Sequence, residues 1–442
     1  HDIGKNIASV VLQCNNYKII DLGVMVPAET ILDTAEKENV DMIALSGLIT
    51  PSLAEMVNVA SEMERRKMKI PLILGGATTS QVHTALKVAP AYPSGMVLQV
   101  QDASQGVFAV NSILNPKTRD ASWKEICGSY EKIRLDSEIR KSAVELLPYA
   151  ECCKNAYKGS RDKVKCGDPG IFKGIADFRE IDPEEAFARI DWSAFRRVWA
   201  DMENTSSTLQ ADAEDLFRTM KEQHAVCLNG SMGFFPAWSE DETLFCRLED
   251  GSIVSLPMFR QQFPVPAGKP HLSLADYFPQ GENSSETTYC GFFAVGCSPD
   301  PAFEASLKGD DYKLLLMKTL ADRLAESCAS LLQEKALHAW QNVADPVMIR
   351  PAPGYPALPD HTLKRDIFEI LSVEKKFGFS LTEHYMMMPS SAVCGLLICH
   401  PEAKYFAVGR VGSDQMHAYA ERRKLLPEKE LTRFIAWQER LA

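Results

Sequence analysis

Three short groups near the start of the chain carry residue types that could hold a metal ion and a ligand lying close to the backbone. His1-Asp2-Ile3-Gly4 comes first, Ser46-Gly47-Leu48 follows with 41 residues between Gly4 and Ser46, and Gly75-Gly76 comes next with 26 residues between Leu48 and Gly75. A neutral imidazole is a good transition-metal ligand, and a loop after a strand would present it to an incoming group. Gly4 has no Cβ, so backbone can come close to a ligand there, and Gly75-Gly76 leaves room where a side chain would block one. Ser46 and Thr50 offer hydroxyls next to a strand end. Ser52 can do the same, or serve as the N-cap of the helix that follows. A second group lies far along the chain, in Arg350-Pro351-Ala352-Pro353-Gly354-Tyr355-Pro356. Its prolines and glycine fix the backbone so that Arg350 and Tyr355 project into a preformed site. An arginine fork pairs bidentately with a carboxylate, and a tyrosine ring stacks on another ring or on a sulfonium cation.

The elements that must position the first group alternate along residues 4–114. Helices are expected at 4–15, 27–38, 52–67, 79–88 and 104–114, and strands at 18–22, 42–45, 71–74 and 96–100. Strands that are apolar throughout, separated by helices, imply a parallel sheet covered on both faces. Such sheets bind ligands beyond the carboxyl ends of their strands, where His1, Ser46 and Gly75 fall. The fold expected is α/β, flavodoxin-like (Rossmann-type). Its first, central strand would precede His1 and is missing, so the sequence reads as a piece of a longer polypeptide.

Beyond residue 115 the pattern changes. Residues 123–145 read as a linker between a first domain at 1–122 and a second at 146–442. In the second domain helices are expected at 183–190, 211–223, 310–339, 363–377 and 427–438. Strands are expected at 225–228, 244–248, 289–295, 393–399 and 405–408. The mixture indicates α+β with a mainly antiparallel sheet.

A net charge of −11 without clustered Lys and Arg excludes a nucleic-acid surface. No apolar run approaches the ~20 residues that span a bilayer. The twelve cysteines are scattered, with no C-x-x-C, and read as reduced thiols. A soluble cytoplasmic monomer acting on small molecules is the expectation.

The ordered spacing of the first three groups resembles the His-x-x-Gly … Ser-x-Leu … Gly-Gly signature of corrinoid-binding domains. Residues 5–17, 21–29 and 45–53 in particular resemble the cobalamin-dependent methionine synthase family. The resemblance implies that His1 is the axial cobalt ligand in place of the cofactor's own base, with Ser52 in its relay. It also implies that Asp2, Gly4, Ser46, Leu48, Thr50, Gly75, Gly76 and Ala103 line the cobalamin site. The loop from Arg350 through Asp360-His361-Thr362 resembles the S-adenosylmethionine-binding loop of the same family's activation domain. By that resemblance Arg350, Pro351, Gly354, Tyr355, Asp191, Glu326, Tyr405 and Phe406 hold S-adenosylmethionine. His361 is the residue that meets the displaced ligand histidine.

The full enzyme so implied moves a methyl group from 5-methyltetrahydrofolate to homocysteine through methylcobalamin. Its zinc belongs to a homocysteine domain not found in this sequence, as do its folate and helical cap domains. Its electron donor is a flavodoxin or a flavin reductase. Two other readings are a non-catalytic corrinoid carrier for separate methyltransferases and a cobalamin-sensing regulator. The Arg350–Tyr355 segment counts against the first, and the lack of a basic patch against the second.

Overall fold

The computed structural model describes residues 2–47, 50–143, 146–157, 166–199, 208–282, 287–343 and 345–436. It divides into two compact units. One comprises His1–Glu145, Arg196–Gln210 and Leu307–Leu316; the other comprises Leu146–Phe195, Ala211–Ser306 and Met317–Ala442.

In the first unit the apolar runs form a parallel sheet in the order β1 (Ile43–Ser46), β2 (Leu72–Gly75), β3 (Val97–Gln99). Alternate residues of β2 point to opposite faces, as strand geometry requires. Leu72 and Leu74 join Leu32, Met63 and Tyr92 in one core. Ile73 joins Leu98, Val110 and Ile113 in another, so helices cover both faces. The expected helices appear at Asp2–Cys14, Ala28–Lys37, Thr50–Arg65 and Ala103–Leu114.

The helix expected at 79–88 is split into Gln81–His83, a π-turn at Thr84–Val88 and Ala89–Ala91. Pro90 has no N–H to offer the carbonyl of Ala85, and Arg134 Nε donates there instead at 2.9 Å.

Two expectations for this unit are corrected. Residues 18–22 are not a strand. They pair with no strand among the described residues, and Ile20 and Leu22 are each 38% exposed. Nor are residues 123–145 a linker, because the helix Arg119–Ala143 packs into this unit. Its Tyr130 is 4% exposed and donates from Oη to the Val97 carbonyl at 3.0 Å. Trp123 and Ile126 of the same helix pack against the core of Ile73, Leu98, Val110 and Ile113, so a few apolar side chains dock a helix whose composition is mainly polar.

The second unit is built on an antiparallel sheet. Its strand order is β7 (Ile253–Pro257), β6 (Thr243–Arg247), β5 (Val226–Glu240), β8 (Thr288–Pro299), β12 (Ala392–Cys399), β9 (Met348–Ile349). β4 (Gly174–Phe178) pairs with the first half of the β5 edge that β6 shares farther along. β10 (Ser380–Leu381) and β11 (Met387–Met388) form a separate short pair. Helix Leu363–Leu371 buries Leu363, Ile367, Phe368, Ile370 and Leu371 in a core with Phe292 and Ala294 of β8 and Leu396 of β12. The helix expected at 363–377 breaks at Ser372, which takes a left-handed conformation.

The strand expected at 405–408 does not form. Its neighbour is the proline-rich segment after Arg350, which has few N–H groups to donate. The single backbone link is Val408 N–H to the Pro356 carbonyl, at 2.8 Å. The expected helix at 427–438 is Glu428–Leu431 followed by a 3₁₀ turn at Thr432–Phe434. No helix among the described residues is long and apolar enough to cross a membrane. All twelve cysteines are free thiols.

Candidate functional site

In the first unit β1 and β2 end side by side, with Ser46 and Gly75 in register. Gly47 N–H donates to the Gly75 carbonyl at 2.9 Å, extending the ladder one step past the strand. Here the backbone packs too closely for side chains. A Cβ on Gly76, whose φ is +105°, would lie 2.2 Å from the Gly47 oxygen. A Cβ on Gly47 would lie 2.9 Å from Met56 and 3.2 Å from Ser52. Gly4, on the first helix, faces the Ser46 hydroxyl, to which a Cβ would come within 3.4 Å.

Hydroxyls surround this glycine floor. Thr78 Oγ1 is buried with no protein partner, and Thr79 Oγ1 donates to the Gly76 carbonyl at 2.9 Å. Ser52 sits inside the first turn of helix Thr50–Arg65 and so is not its N-cap. Asp2 is the first residue of its helix, and Ala103 follows Asp102, whose carboxylate caps helix Ala103–Leu114 by accepting from Gln105 N. His1 and Leu48 lie outside the described residues. The strand ends thus bring Gly4, Ser46, Ser52, Gly75 and Gly76 together, as expected. Thr78 and Thr79 are additions that no spacing rule pointed to.

In the second unit a cavity of about 280 Å³ opens where β9 delivers the chain into the 350–358 loop. β9 pairs with the end of β12, and Leu396 N–H donates to the Pro351 carbonyl at 2.9 Å, so the loop lies flat on β12. Gly395 makes this possible, since a Cβ there would meet the Pro351 oxygen at 2.7 Å. The loop closes on itself through Gly354 N–H to the Leu358 carbonyl and Leu358 N–H to the Tyr355 carbonyl, at 2.8 and 2.9 Å.

Glu326 reaches the cavity from helix Asp311–Ala339, and its Oε2 lies 3.7 Å from Arg350 Nη2. Arg350 Nη1 reaches Ser330 Oγ at 3.4 Å, and its guanidinium stands 5.7 Å over the Phe293 ring. The backbone N–H of Arg350 donates to Tyr405 Oη at 2.8 Å. Tyr355 and Tyr405 are each 61% exposed and form the rim.

Of the expected residues, Glu326, Arg350, Pro351, Tyr355, Tyr405 and Phe406 all line this cavity. Phe293 and Val393 line it too and were missed, because strand alternation marks them only as core. Asp191 is not among the lining residues. Its carboxylate accepts from Ser193 N and Ala194 N at 2.9 and 3.1 Å and caps the short helix Trp192–Val198. Gly354 and His361 sit behind the lining rather than in it. His361 is 4% exposed, and burial with help from Lys364 pushes its pKa down to about 3.

A larger depression of about 410 Å³ includes Tyr149, Cys153, Glu242, Arg260 and Arg422. Its buried charges answer one another. Arg260 donates to Glu242 at 2.7 Å and bidentately to Asp276 at 2.8 Å, a framework role that the sequence did not reveal.

Comparison with known proteins agrees with this division. The family described as vitamin B12 dependent methionine synthase, activation domain, matches residues 184–424, over half of the chain. The chain belongs to this family. A B12 binding domain matches residues 1–92, the region that holds the glycine floor. A solved structure described as the MetH reactivation domain bound to AdoHcy is 28% identical, with a TM-score of 0.59, and the match covers 65% of this chain and 97% of that one. The parallel sheet followed by an antiparallel α+β unit is therefore the fold expected. The chain carries the B12-binding and activation regions of a methionine synthase of this type.

The strand-end site fits a corrinoid on the chain's own terms. It offers a buried hydroxyl with no protein partner, that of Thr78, beside backbone that the glycines hold in close contact.

Proposed function

We propose that this chain is the cobalamin-handling and reactivation part of a methionine synthase. In this reading the first unit would hold cobalamin at Gly4, Ser46, Gly75 and Gly76, and the His1 imidazole would be its cobalt ligand. The second unit binds S-adenosylmethionine at Arg350 and Glu326 for reductive methylation of the cofactor. When bound, cobalamin supplies a cobalt centre that can carry a methyl group to homocysteine in the full enzyme.

The observation that carries the reading is the cavity that joins Arg350, Glu326, Tyr355 and Tyr405 in one wall. A guanidinium and a carboxylate 3.7 Å apart match the two charged ends of an amino acid, the carboxylate going to Arg350 and the ammonium to Glu326. Tyr405 fixes the backbone of Arg350, so the fork is oriented before a ligand arrives. The exposed Tyr355 ring offers its face to the sulfonium or to the adenine. Methyl loss leaves S-adenosylhomocysteine in the same cavity, while one electron comes from a flavodoxin or flavin reductase. The methyltetrahydrofolate and homocysteine steps belong to other parts of the enzyme.

Calorimetric titration with S-adenosylhomocysteine tests the second unit. Saturable binding by the wild type is expected, with about a hundredfold loss in Arg350→Ala and an unchanged melting temperature. Equal affinity in the two proteins would sink the assignment. The paramagnetic resonance spectrum of added cob(II)alamin tests the first unit. Nitrogen coupling from a protein imidazole is expected, and its persistence in His1→Gly would rule His1 out.

A further inference from the structure

His361 is a polar residue in an apolar position. Its ring is 4% exposed, and neither Nδ1 nor Nε2 has a hydrogen-bond partner. Leaving a buried imidazole N–H unpaired costs about 1–3 kcal/mol. Within this chain the ring makes no hydrogen bond, and what it offers its neighbours is its shape.

One edge of the ring faces Gly354. A Cβ built on that glycine would lie 2.1 Å from Cε1, 2.6 Å from Nδ1 and 2.7 Å from Nε2 of His361. Gly354 has φ +91°, and its N–H ties the loop to Leu358. From the other side the His361 backbone is fixed, its N–H donating to the Phe434 carbonyl at 3.0 Å and its carbonyl accepting from Lys364 N at 3.2 Å. A ring anchored from beneath thus meets the underside of the loop whose upper side carries Arg350, Pro351 and Tyr355 into the cavity.

We infer that His361 is a positioning residue: its ring is a rigid support for Gly354 that sets the height of the 350–358 loop, and through it the placement of Arg350 and Tyr355. The support acts by shape. It deepens the proposed function and rests on the reading that this cavity takes S-adenosylmethionine or its demethylated product.

The test is a double-mutant cycle read by S-adenosylhomocysteine binding, with wild type, Gly354→Ala, His361→Ala and the double variant, and with His361→Leu as a fifth protein. Gly354→Ala drives a methyl group into the ring and is expected to weaken binding about tenfold or more. His361→Ala removes the support and weakens binding too. In the double variant the clash is gone, so it should bind more tightly than Gly354→Ala alone. His361→Leu, similar in bulk and without nitrogens, should stay within about threefold of wild type. If Gly354→Ala acted only through its backbone conformation, φ +91°, the double variant would show no such rescue.

A double variant no better than Gly354→Ala would overturn the inference, as would His361→Leu losing as much as His361→Ala. Thermal melts identify a variant that fails to fold; if Gly354→Ala does, the Leu and Ala variants at 361 still decide. A wild type that does not bind the ligand would sink the reading of the cavity itself, and this inference with it. That result is distinct from a failed rescue in proteins of which the wild type binds.

Discussion

The strand ends of the first unit and the cavity of the second are built in opposite ways. At Gly76 what matters is what the residue lacks: a Cβ there would lie 2.2 Å from the Gly47 oxygen, while one on Gly47 would lie 2.9 Å from the Met56 side chain. Around Arg350 what matters is what the side chains present: a guanidinium, a carboxylate and two tyrosines braced on the edge of an antiparallel sheet. The first site should therefore fail when atoms are added, and the second when functional groups are removed.

The largest effect should come from adding a single carbon at Gly76. With φ +105° and the Gly47 oxygen 2.2 Å away, Gly76→Ala is expected to destabilise the first unit by about 3 kcal/mol or more, combining overpacking with a backbone region that other residues avoid. Denaturant unfolding would measure it, and cobalamin uptake should fall in parallel. Gly106→Ala is the control, because a Cβ there meets nothing within 4 Å. Equal losses in both would break the contrast.

An intermediate effect concerns acid. Burial holds His361 neutral down to about 3 and His400 down to about 4. In the unfolded chain an imidazole takes up its proton near the ordinary value of about 6.5. Between about 6.5 and about 3, then, the unfolded state binds a proton that the folded state refuses at 361. Stability contributed by the neutral ring is complete above that window and falls as the pH drops through it. The unfolding midpoint of His361→Leu should lose less than the wild type on acidification, and parallel curves would contradict the burial argument.

The smallest effect should come from Tyr405→Phe. It removes the oxygen that accepts the Arg350 N–H and leaves the ring in place. About 1 kcal/mol is expected, close to a fivefold loss of S-adenosylhomocysteine affinity with unchanged stability.

The same contrast explains what the sequence revealed. Strands β1, β2 and β3 were legible because each is apolar on both faces and bounded by turn signals. The glycine floor was legible because glycine has few other reasons to recur at strand ends. Residues 18–22 have the same apolar alternation and still form no strand, because strand formation depends on a neighbour to pair with. For the same reason 405–408 was misread, since its neighbour is rich in proline. Arg350 and Tyr355 were legible from the loop that their prolines and glycine fix, whereas Glu326 was legible only through the resemblance, as nothing in the spacing of 326 and 350 says that a long helix and a sheet edge converge. Asp191 shows the opposite error. An Asp followed two residues later by Ser is a good helix cap, and capping is what its carboxylate does. Phe293 and Val393 were missed because the sequence cannot say which buried strand residues border an opening.

The contact between Gly76 and Gly47 also bears on how the gene can vary. Every glycine codon begins with two guanines, and any change at either base replaces the glycine. At most positions in a protein some of those replacements are harmless. At Gly76 each would place a side chain where the Gly47 carbonyl already lies, so the two guanines of its codon should tolerate no substitution in a functioning copy. A saturation library of the coding sequence, sorted for cobalamin uptake, should show codon 76 emptied of everything except its third-base synonyms.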